Sequence, residues 1–469
     1  MTDAAAVLER IERDAVRFVD FRFTDLAGRW RHTAMDAASI DREILDNGLM
    51  IDGSAVPGWR DASESDLLVR PDLANCFLDP FSAQPTLVMI CDTAEPASGI
   101  GYERDPRTTA VRAMEWLAQH PAADRAVIGT EVSFFLFDDV RVELGPMAAS
   151  YRLGGSEART AGPTAYVPGN PGHRPPPGTA QLALPPADHM SDIRAEIGGI
   201  LTSLGFARVQ HDHGAASLQN RMSFAPATLL ATADRLQILK YAVHQVAASY
   251  GKSATFMPCP VVDEPGSGMQ VHLSLWRGER PVMAGQGYAD LSTTCLQFIA
   301  GVIGHAKALN AFTNPTTNSY KRLRAASDAP TLLAYAAHNR STAIRIPYSS
   351  KPGRKRVELR FPDPGANPYL ALTAILMAGL DGIERKLEPG DAMDRNLYDL
   401  RPEEIDDLAS TSGSLDEALS ALEQDHEFLL AGDVMTEDLI EAYIGLKRRE
   451  IDTIDRTPHP AEFQLYYGL

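Results

Sequence analysis

The chain has 469 residues, of which 44% are hydrophobic and 23% are charged, a composition typical of an ordinary globular protein. Its net charge of −18 argues against a nucleic acid or an anionic membrane surface as a partner. No apolar run reaches the ~18 residues that a membrane-spanning helix needs. The four cysteines are widely spaced and form no CxxC pair, which predicts reduced thiols in a cytoplasmic protein.

The first hundred residues predict a small β-rich domain. Residues 18–23 and 86–91 have the apolar content of strands, and the domain is expected to end near residue 103. A loop rich in Gly and Pro between these strands carries Asp52 and Trp59. This loop is either a surface turn or a segment that reaches the site of another subunit.

The next segment combines a helix, a strand and a long irregular stretch. The strand predicted over 126–137 places Glu131 and Ser133 on one face, because side chains alternate along a strand. Residues 141–188 are rich in Gly and Pro and show no periodicity, which predicts a long loop. Loops of that length in a compact domain are usually functional or disordered.

A strand predicted over 207–214 places His211 and His213 on the same face. Two such residues either hold a metal ion or have a structural role. No third Cys or His lies nearby in the sequence to complete a zinc site, which favours the structural role. The segment that ends in Arg221 follows and is a second candidate site segment.

The central strand, residues 269–276, alternates strictly between apolar and polar side chains. Its apolar face is predicted to lie in the core. Its other face is either the wall of a site or a solvent-facing surface, and the site wall is favoured because two other strands repeat the pattern. The side chains on that face are Gln270, His272, Ser274 and Trp276.

Arginines are concentrated near the C-terminal end of an otherwise acidic chain. They lie on apolar strands and beside turns with Pro and Asn, unlike the mixed charges of a solvated helix. Guanidinium groups bind carboxylates and phosphates through two parallel hydrogen bonds. The pattern therefore favours a pocket for an anionic substrate over a structural salt network. These arginines are Arg322, Arg340, Arg345, Arg356 and Arg360.

Six segments match the signatures of one protein family. They are residues 252–258 (KSATFMP), 314–322 (NPTTNSYKR), 339–347 (NRSTAIRIP), 357–363 (VELRFPD), 396–400 (NLYDL) and 457–467 (TPHPAEFQLYY). Through them the chain resembles the bacterial type I glutamine synthetases along nearly its whole length, with the weakest similarity at 141–170.

The resemblance implies an α+β protein with the glutamine synthetase fold. Residues 1–103 would form a small β-grasp domain. Residues 104–469 would form a catalytic domain with a curved antiparallel β-sheet, a partial barrel, and flanking helices. It also implies a homo-oligomer, a dodecamer of two stacked hexamers, whose sites lie between neighbouring subunits. The loop with Asp52 and Trp59 would then contribute across the interface.

The resemblance also implies roles for individual residues. In this family ATP phosphorylates the side-chain carboxylate of glutamate, ammonia displaces the phosphate, and two divalent cations organise the chemistry. Tyr398 matches a tyrosine that some members adenylylate, although an ordinary tyrosine at the end of a helix explains it equally well. Carried over, the catalytic residues are Asp52, Asp328 and Arg340; the substrate-binding residues are Trp59, Ser133, Arg221, Gln270, Arg322, Arg345 and Arg360; and the nucleotide-binding residues are His272, Ser274 and Arg356.

Several metal-ligand positions differ from the family pattern. The three Glu nearest the amino-acid substrate appear here as Ser133, Gly214 and Arg221. At the second position Glu131 and Glu358 remain, whereas Gln270 replaces a His. Because Mg²⁺ needs about six oxygen ligands, no ion is expected at the first position and weak or no binding at the second. Arg221 is expected to fill the vacated space and to bind a substrate anion directly.

Three functions are compatible with this pattern. The first is an enzyme of nitrogen metabolism whose rewired, degenerate metal site acts on a small anionic, nitrogen-containing carboxylate in carbon–nitrogen chemistry. It would not use the standard two-metal ATP mechanism, and ordinary glutamine synthetase activity is not expected of it. The second is an ATP-dependent carboxylate–amine ligase that makes glutamine or another γ-glutamyl amide. The third is a non-catalytic dodecamer that binds a metabolite or regulates a partner. The lost ligands favour the first function, and Mg²⁺ and ATP are the candidate cofactors.

Overall fold

The computed structural model describes residues 3–158, 172–175, 179–325, 329–405 and 408–467. The strands are β1 (Phe18–Thr24), β2 (Trp30–Asp36), β3 (Leu49–Asp52), β4 (Asp66–Leu78), β5 (Thr86–Ala94), β6 (Arg125–Phe137), β7 (Asp139–Gly145), β8 (Ala148–Gly154), β9 (Gln210–His213), β10 (Gln219–Ser223), β11 (Ser253–Thr255), β12 (Met269–Arg277), β13 (Arg280–Pro281), β14 (Tyr335–Ala337), β15 (Ile344–Ile346) and β16 (Val357–Leu359).

The α-helices surround and connect these strands. They are α1 (Ala4–Arg13), α2 (Arg42–Asn47), α3 (Pro106–Gln119), α4 (Ser191–Ser203), α5 (Leu229–Ser249), α6 (Thr293–Gly304), α7 (Ala306–Thr313), α8 (Thr317–Ala325), α9 (Pro368–Glu384), α10 (Pro402–Ile405), α11 (Leu415–Gln424), α12 (Glu427–Leu430), α13 (Glu437–Asp455) and α14 (Pro460–Tyr466). Within the described ranges, no helix is both long and apolar enough to cross a membrane.

The N-terminal strands form one five-stranded sheet in the order β2-β1-β5-β4-β3. Strand β1 runs parallel to β5, and the other neighbouring pairs are antiparallel. Val19, Phe21 and Phe23 of β1 are buried in the core of this sheet. Strand β5 ends at Ala94 and α3 begins at Pro106, so the predicted domain boundary falls in the connection between them. The boundary at residue 103 itself stays a prediction.

A nine-stranded sheet carries the second half of the molecule. Its main path is β14-β15-β16-β12-β6-β10-β9, while β11 pairs with β6 and β13 pairs with β12. Every pair is antiparallel except β14 with β15. Along β12, the apolar side chains predicted to face the core are buried and the polar ones are half-buried. The alternation of the sequence therefore sets which face of the central strand can line a site.

Helices α6 and α9 pack closely behind this sheet because glycines face one another. A Cβ added to Gly301 would lie 2.1 Å from the carbonyl oxygen of Ala378, and one added to Gly382 would lie 2.3 Å from that of Gln297. Helix α9 is almost entirely buried, and Asn367 caps its N-terminus by accepting a hydrogen bond from the N–H of Tyr369. The core that supports the sheet is thus fixed by close backbone contact.

The prediction of an irregular loop over 141–188 is wrong for its first part. Strands β7 and β8 form a hairpin there. Val140, Val142 and Leu144 alternate with polar residues along β7, a strand pattern that the Gly and Pro content of the longer segment obscured. These three side chains are exposed in the single chain. Residues 159–171 and 176–178 lie outside the described part.

Candidate active site

A pocket of about 300 Å³ lies on the polar face of the nine-stranded sheet. Its walls come from segments that are far apart in the sequence but adjacent in the sheet. Eight residues singled out from the sequence line it, and they are Ser133, Gly214, Arg221, Gln270, Arg322, Arg340, Arg360 and Tyr398.

Strand register explains why these side chains meet. Arg221 of β10 lies opposite Ser133 of β6 and, on its other side, opposite Asp212 of β9. Glu131 of β6 lies opposite Gln270 of β12. Residues that oppose each other across a sheet point to the same face, so five polar side chains project into one region.

Arg221 is held between two carboxylates. Its Nε donates to Oδ1 of Asp212 at 2.7 Å, and its Nη1 donates to Oε1 of Glu131 at 2.9 Å. Burial alone would lower the pKa of Arg221, but these two carboxylates raise it above its usual value. Burial raises the pKa of Glu131, and Arg221 opposes that shift. One cation and two carboxylates give the group a net charge of −1.

The charge balance expected from the sequence is therefore wrong. Counting only Ser133, Gly214 and Arg221 gave a net positive site with a guanidinium free to bind an anion. The pairing of β9 with β10 adds Asp212, and the pairing of β10 with β6 adds Glu131. Because both carboxylates accept from Arg221, its positive charge is neutralised within the protein.

Glu358 lies at the centre of a second charged group. Its Oε2 accepts from Nη1 of Arg345 at 2.6 Å, and its Oε1 accepts from Nη1 of Arg360 at 2.7 Å. Burial alone would raise the pKa of Glu358, but His272 and these two arginines lower it. Glu358 therefore carries a negative charge at neutral pH and keeps both arginines in place.

Arg322 is buried at the floor of the pocket. Its guanidinium donates to the backbone carbonyls of Phe361 at 2.7 Å and Arg360 at 3.1 Å, with no carboxylate as partner among the described residues. A Cβ added to Gly268 would lie 2.7 Å from Nη2 of Arg322, so the close approach requires a glycine. Burial lowers the pKa of Arg322, as expected for a cation in a poorly solvated position.

Arg340 is the most accessible cation of the pocket. Its side chain is exposed, and it makes no hydrogen bond or ion pair with any residue that the structure describes. Its backbone carbonyl accepts a hydrogen bond from the hydroxyl of Tyr398 at 3.5 Å. Arg340 is thus available to bind an anion that enters the pocket.

Of the residues expected to bind a nucleotide, His272 and Ser274 lie farther along β12 and Arg356 directly precedes β16; none of them lines the 300 Å³ pocket. Nε of Arg356 donates to Nδ1 of His272 at 3.4 Å, which requires a neutral histidine. Burial lowers the pKa of His272 to about 4, in agreement with that state. Oγ of Ser274 accepts from the indole N–H of Trp276 at 3.2 Å.

Asp52 and Trp59 are not among the residues that line the pocket. Asp52 is exposed, and its Oδ1 accepts from the N–H of Ser54 at 2.9 Å. Trp59 is only 3% exposed, because it packs between Phe23 and Tyr102 in the N-terminal domain. A contact of its ring with a substrate therefore stays a prediction without support from the single chain. Asp328 lies outside the described residues.

Gln219, which belongs to the candidate segment that ends in Arg221, also lines the pocket, whereas Asp212 was not singled out from the sequence. Gln219 donates from Nε2 to the carbonyl of Gly266 at 2.9 Å and accepts at Oε1 from the N–H of Ala215 at 2.9 Å, which shapes one wall. A Cβ added to Gly214 would lie 2.5 Å from Oε1 of Gln219. For Asp212, the missed signal was the short connection between β9 and β10, which places it opposite Arg221.

A separate cluster contains His213, one histidine of the β9 pair. The cluster consists of three buried residues, Glu157, Asp188 and His213. One carboxylate oxygen or ring nitrogen of each lies within 4.8 Å of those of the other two. Nε2 of His213 lies 3.1 Å from Oε2 of Glu157, which also accepts from the N–H of Leu218 at 3.1 Å. Asp188 forms an ion pair with Arg194. These groups satisfy one another, so the structural role favoured for His213 accounts for its position.

The donor set determines which cation the pocket fits. Glu131 lies opposite Gln270, and Glu358 lies opposite His272 two positions farther along β12, so this face of the sheet offers two carboxylates and an amide oxygen. Mg²⁺ prefers oxygen ligands, often one or two carboxylates with water and substrate phosphates, so these residues fit one Mg²⁺. Ser133 and Gly214 offer no carboxylate, and the nearest ones, on Asp212 and Glu131, are bridged by Arg221.

Comparison with known proteins establishes the family. The model of the glutamine synthetase catalytic domain matches residues 103–466, and that of the glutamine synthetase β-grasp domain matches residues 15–96. The chain belongs to the glutamine synthetase family. This confirms the predicted α+β fold with a β-grasp N-terminal domain and a curved antiparallel sheet. It also confirms, at the level of the family, an enzyme of the ligase class in nitrogen metabolism.

Individual relatives are similar over the whole chain. A glutamine synthetase from Rhizobium meliloti (strain 1021) is 48% identical over 469 residues, which cover 100% of both chains. The structure of Plasmodium falciparum glutamine synthetase has a TM-score of 0.91 at 27% identity and covers 100% of this chain and 99% of its own. A GmaS/ADP complex has a TM-score of 0.84 at 29% identity and covers 100% of both chains.

These findings overturn the function favoured from the sequence. Full-length identity of 48% to a glutamine synthetase supports the ordinary function, and not chemistry outside the family's mechanism. The description of the metal site as degenerate receives no support from the comparisons. The prediction counted charge at single positions and left out Asp212, whose carboxylate pairs with Arg221.

Proposed function

We propose that this protein is an ATP-dependent carboxylate–amine ligase that makes glutamine from glutamate and ammonia. The observation that carries the proposal is the division of charge at one small pocket: four arginines line it, and one of them, Arg221, pairs with two carboxylates that do not line the pocket themselves. The Asp212–Arg221–Glu131 group is net negative, whereas Arg322, Arg340 and Arg360 supply positive charge. A pocket of this kind suits an amino acid that carries one ammonium group and two carboxylates. The full-length similarity to a glutamine synthetase supports the same conclusion.

The substrate would be oriented by these two regions. Its ammonium group would face Asp212 and Glu131, with Ser133 and Gln270 as neutral hydrogen-bond partners. Its carboxylates would pair with the arginines opposite, among which the side chain of Arg340 makes no hydrogen bond or ion pair in the described part of the chain. Charge-assisted pairs of guanidinium and carboxylate are strong and directional, so they fix the reacting carboxylate.

The chemical step would depend on charge stabilisation. Arg340 and Arg360 would stabilise the negative charge that develops as phosphate moves from ATP to the substrate carboxylate and is later displaced by ammonia. Mg²⁺, held by Glu131, Glu358 and Gln270, would supply charge neutralisation on the phosphates. Arg345 would act indirectly, because it holds Glu358 in place. His272, Ser274 and Arg356 are the proposed nucleotide contacts.

The remaining roles depend on a neighbouring subunit. Asp52, together with Asp328, would take the proton that ammonium releases before it attacks, and Asp52 is accessible for this in the single chain. Its loop reaches another chain only in an oligomer, so the proposal includes a homo-oligomer, with the dodecamer as its expected form. Domains at 1–103 and 104–469, the Trp59 contact, adenylylation at Tyr398 and a cytoplasmic location stay predictions.

The test is the release of ADP from MgATP. We expect release to require both glutamate and ammonia and to yield glutamine in equal amount. Arg340→Gln is expected to lower the rate strongly. Arg385→Gln is the matched control, because Arg385 forms its ion pair with Asp381 at the exposed end of α9. This variant is expected to release ADP at the rate of the native protein. No ADP release by folded protein with all substrates present would refute the proposal. Faster release with methylamine than with ammonia would overturn the assignment of the amine.

A further inference from the structure

A second cavity lies between the two halves of the molecule. It has a volume of about 670 Å³ and is bounded by the turn between β1 and β2, by α5, by residues 255–258 and by α13. It shares no lining residue with the pocket described above. Its size is within the range of about 300–1,000 Å³ that is usual for small-molecule sites.

The charge of this cavity is opposite to that of the chain. Three cationic side chains and one carboxylate line the cavity, and they are Arg29, Lys240, Lys447 and Glu450. The lining therefore has a net charge of +2, whereas the whole chain has a net charge of −18. Lys447 is already paired, with Nζ 3.0 Å from Oε1 of Glu450. The positive charge that remains therefore belongs to Arg29 and Lys240.

Neither cation forms an ion pair among the described residues, although Asp363 acts on Lys240 at longer range and Arg29 is exposed. Nζ of Lys240 donates to the carbonyl of Ala366 at 3.2 Å and forms no ion pair. The guanidinium of Arg29 makes neither a hydrogen bond nor an ion pair within the described ranges. Burial lowers the pKa of Lys240 to about 8, which shows how poorly its ammonium is solvated. An unpaired charge in such a position is costly, and an anion would relieve that cost.

Aromatic side chains form the other walls. Trp30 and Tyr241 lie with ring centroids 5.9 Å apart, and the Phe256 ring lies 5.8 Å from Nζ of Lys240.

We propose that this cavity binds a small organic anion that has a flat ring and a doubly charged group, either a phosphate ester or a dicarboxylate. Arg29 and Lys240 pair with the charged group, and Phe256 contacts the ring. Arg29 and Trp30 belong to the N-terminal region and Lys240 to α5, so a bound ligand holds the two together. The proposal does not rest on the ligase activity.

Calorimetry on the full-length oligomer tests this site with simple probes. Phenyl phosphate is expected to bind, and inorganic phosphate and benzyl alcohol each to bind more weakly. Phthalate carries two carboxylates on the same kind of ring. Its affinity relative to that of phenyl phosphate shows whether the site prefers a dicarboxylate or a phosphate ester. Lys240→Gln and Arg29→Gln should each weaken the binding of phenyl phosphate about 10- to 100-fold, because each variant loses one charge-assisted hydrogen bond to the ligand. Lys307→Gln, an exposed lysine outside the cavity, should leave it unchanged.

Two outcomes would overturn the proposal. One is no binding of phenyl phosphate or phthalate to the native protein. The other is binding that survives Lys240→Gln but is lost in Arg340→Gln, because that result places the ligand in the first pocket. Melting curves establish that each variant is folded.

A labelling experiment on the native protein removes the dependence on variants. Pyridoxal phosphate has a ring, a phosphate and an aldehyde. The aldehyde carbon forms a C=N bond with Nζ of an unprotonated lysine and releases water, and borohydride reduces this imine to a stable secondary amine. We expect Lys240 to be the main labelled lysine at one reagent per chain, and phenyl phosphate to protect it. Labelling that spares Lys240, or that phenyl phosphate does not reduce, would overturn the site.

Discussion

The bridge that Arg221 forms between two carboxylates predicts a measurable loss of stability in Arg221→Gln. The change removes two hydrogen bonds and leaves Asp212 and Glu131 close together without the cation between them. A hydrogen bond to a charged group contributes about 1.5–3 kcal/mol. Because the side chains of Arg221 and Glu131 are 16% and 27% exposed, solvent screens part of this. The expected loss is therefore about 2–4 kcal/mol in total.

Thermal unfolding at pH 7 and fixed protein concentration measures this loss. At about 2.1 cal/mol/K per residue, a chain of 469 residues has an unfolding entropy of about 1 kcal/mol/K, so the midpoint should fall by about 2–4 °C. Arg385→Gln, which breaks an exposed pair, should change it by less than about 1 °C. The difference in midpoint between Arg221→Gln and the native protein should shrink toward pH 5. Burial already raises the pKa of Glu131, so this carboxylate takes up a proton as the pH falls and no longer repels Asp212. An unchanged midpoint, or a deficit that grows as pH falls, would refute the reasoning.

Three further variants test other parts of the structure. Asp212→Asn reduces the net negative charge beside Arg221 and should raise KM for glutamate about tenfold with little change in kcat; an unchanged KM would place the ammonium group elsewhere. Burial alone would lower the pKa of His305, but the two carboxylates that the ring contacts raise the pKa above its usual value. The protonated ring therefore stabilises the fold fully below the unfolded-state pKa of about 6.5. This stabilisation is lost as the pH rises through the pKa of the folded state. His305→Gln should therefore lower the midpoint more at pH 6 than at pH 8.5, and equal losses at both would contradict the assignment. Gly301→Ala would place a Cβ 2.1 Å from a backbone carbonyl of α9 and should cost about 1–3 kcal/mol by melting; a stable variant would show that α6 can shift.

Local patterns in the sequence predicted the parts of the site that depend on one strand. The alternation along β12 correctly placed Gln270 and His272 on the polar face, because side-chain direction follows directly from spacing. The arginine-rich segments were expected to meet at an anion pocket, and the structure places Arg322, Arg340 and Arg360 there. In both cases the prediction needed no knowledge of which strands pair.

The parts that depend on strand pairing were not predicted. Asp212 lies nine residues from Arg221 in the sequence, and only the register of β9 with β10 makes it the partner of that guanidinium. The omission reversed the sign of the charge assigned to the site and led to the wrong function. The proposed contributions of Asp52 and Trp59 would depend on a neighbouring subunit, which no local pattern can position.

The most direct test of the central claim is to measure glutamine formed by the purified full-length protein from glutamate, ammonia and MgATP. The account predicts glutamine and ADP in equal amounts, no product when any one substrate is left out, and a large loss of rate in Arg340→Gln but not in Arg385→Gln. ADP formation that ignores glutamate, or no product from protein that melts cooperatively, would contradict it.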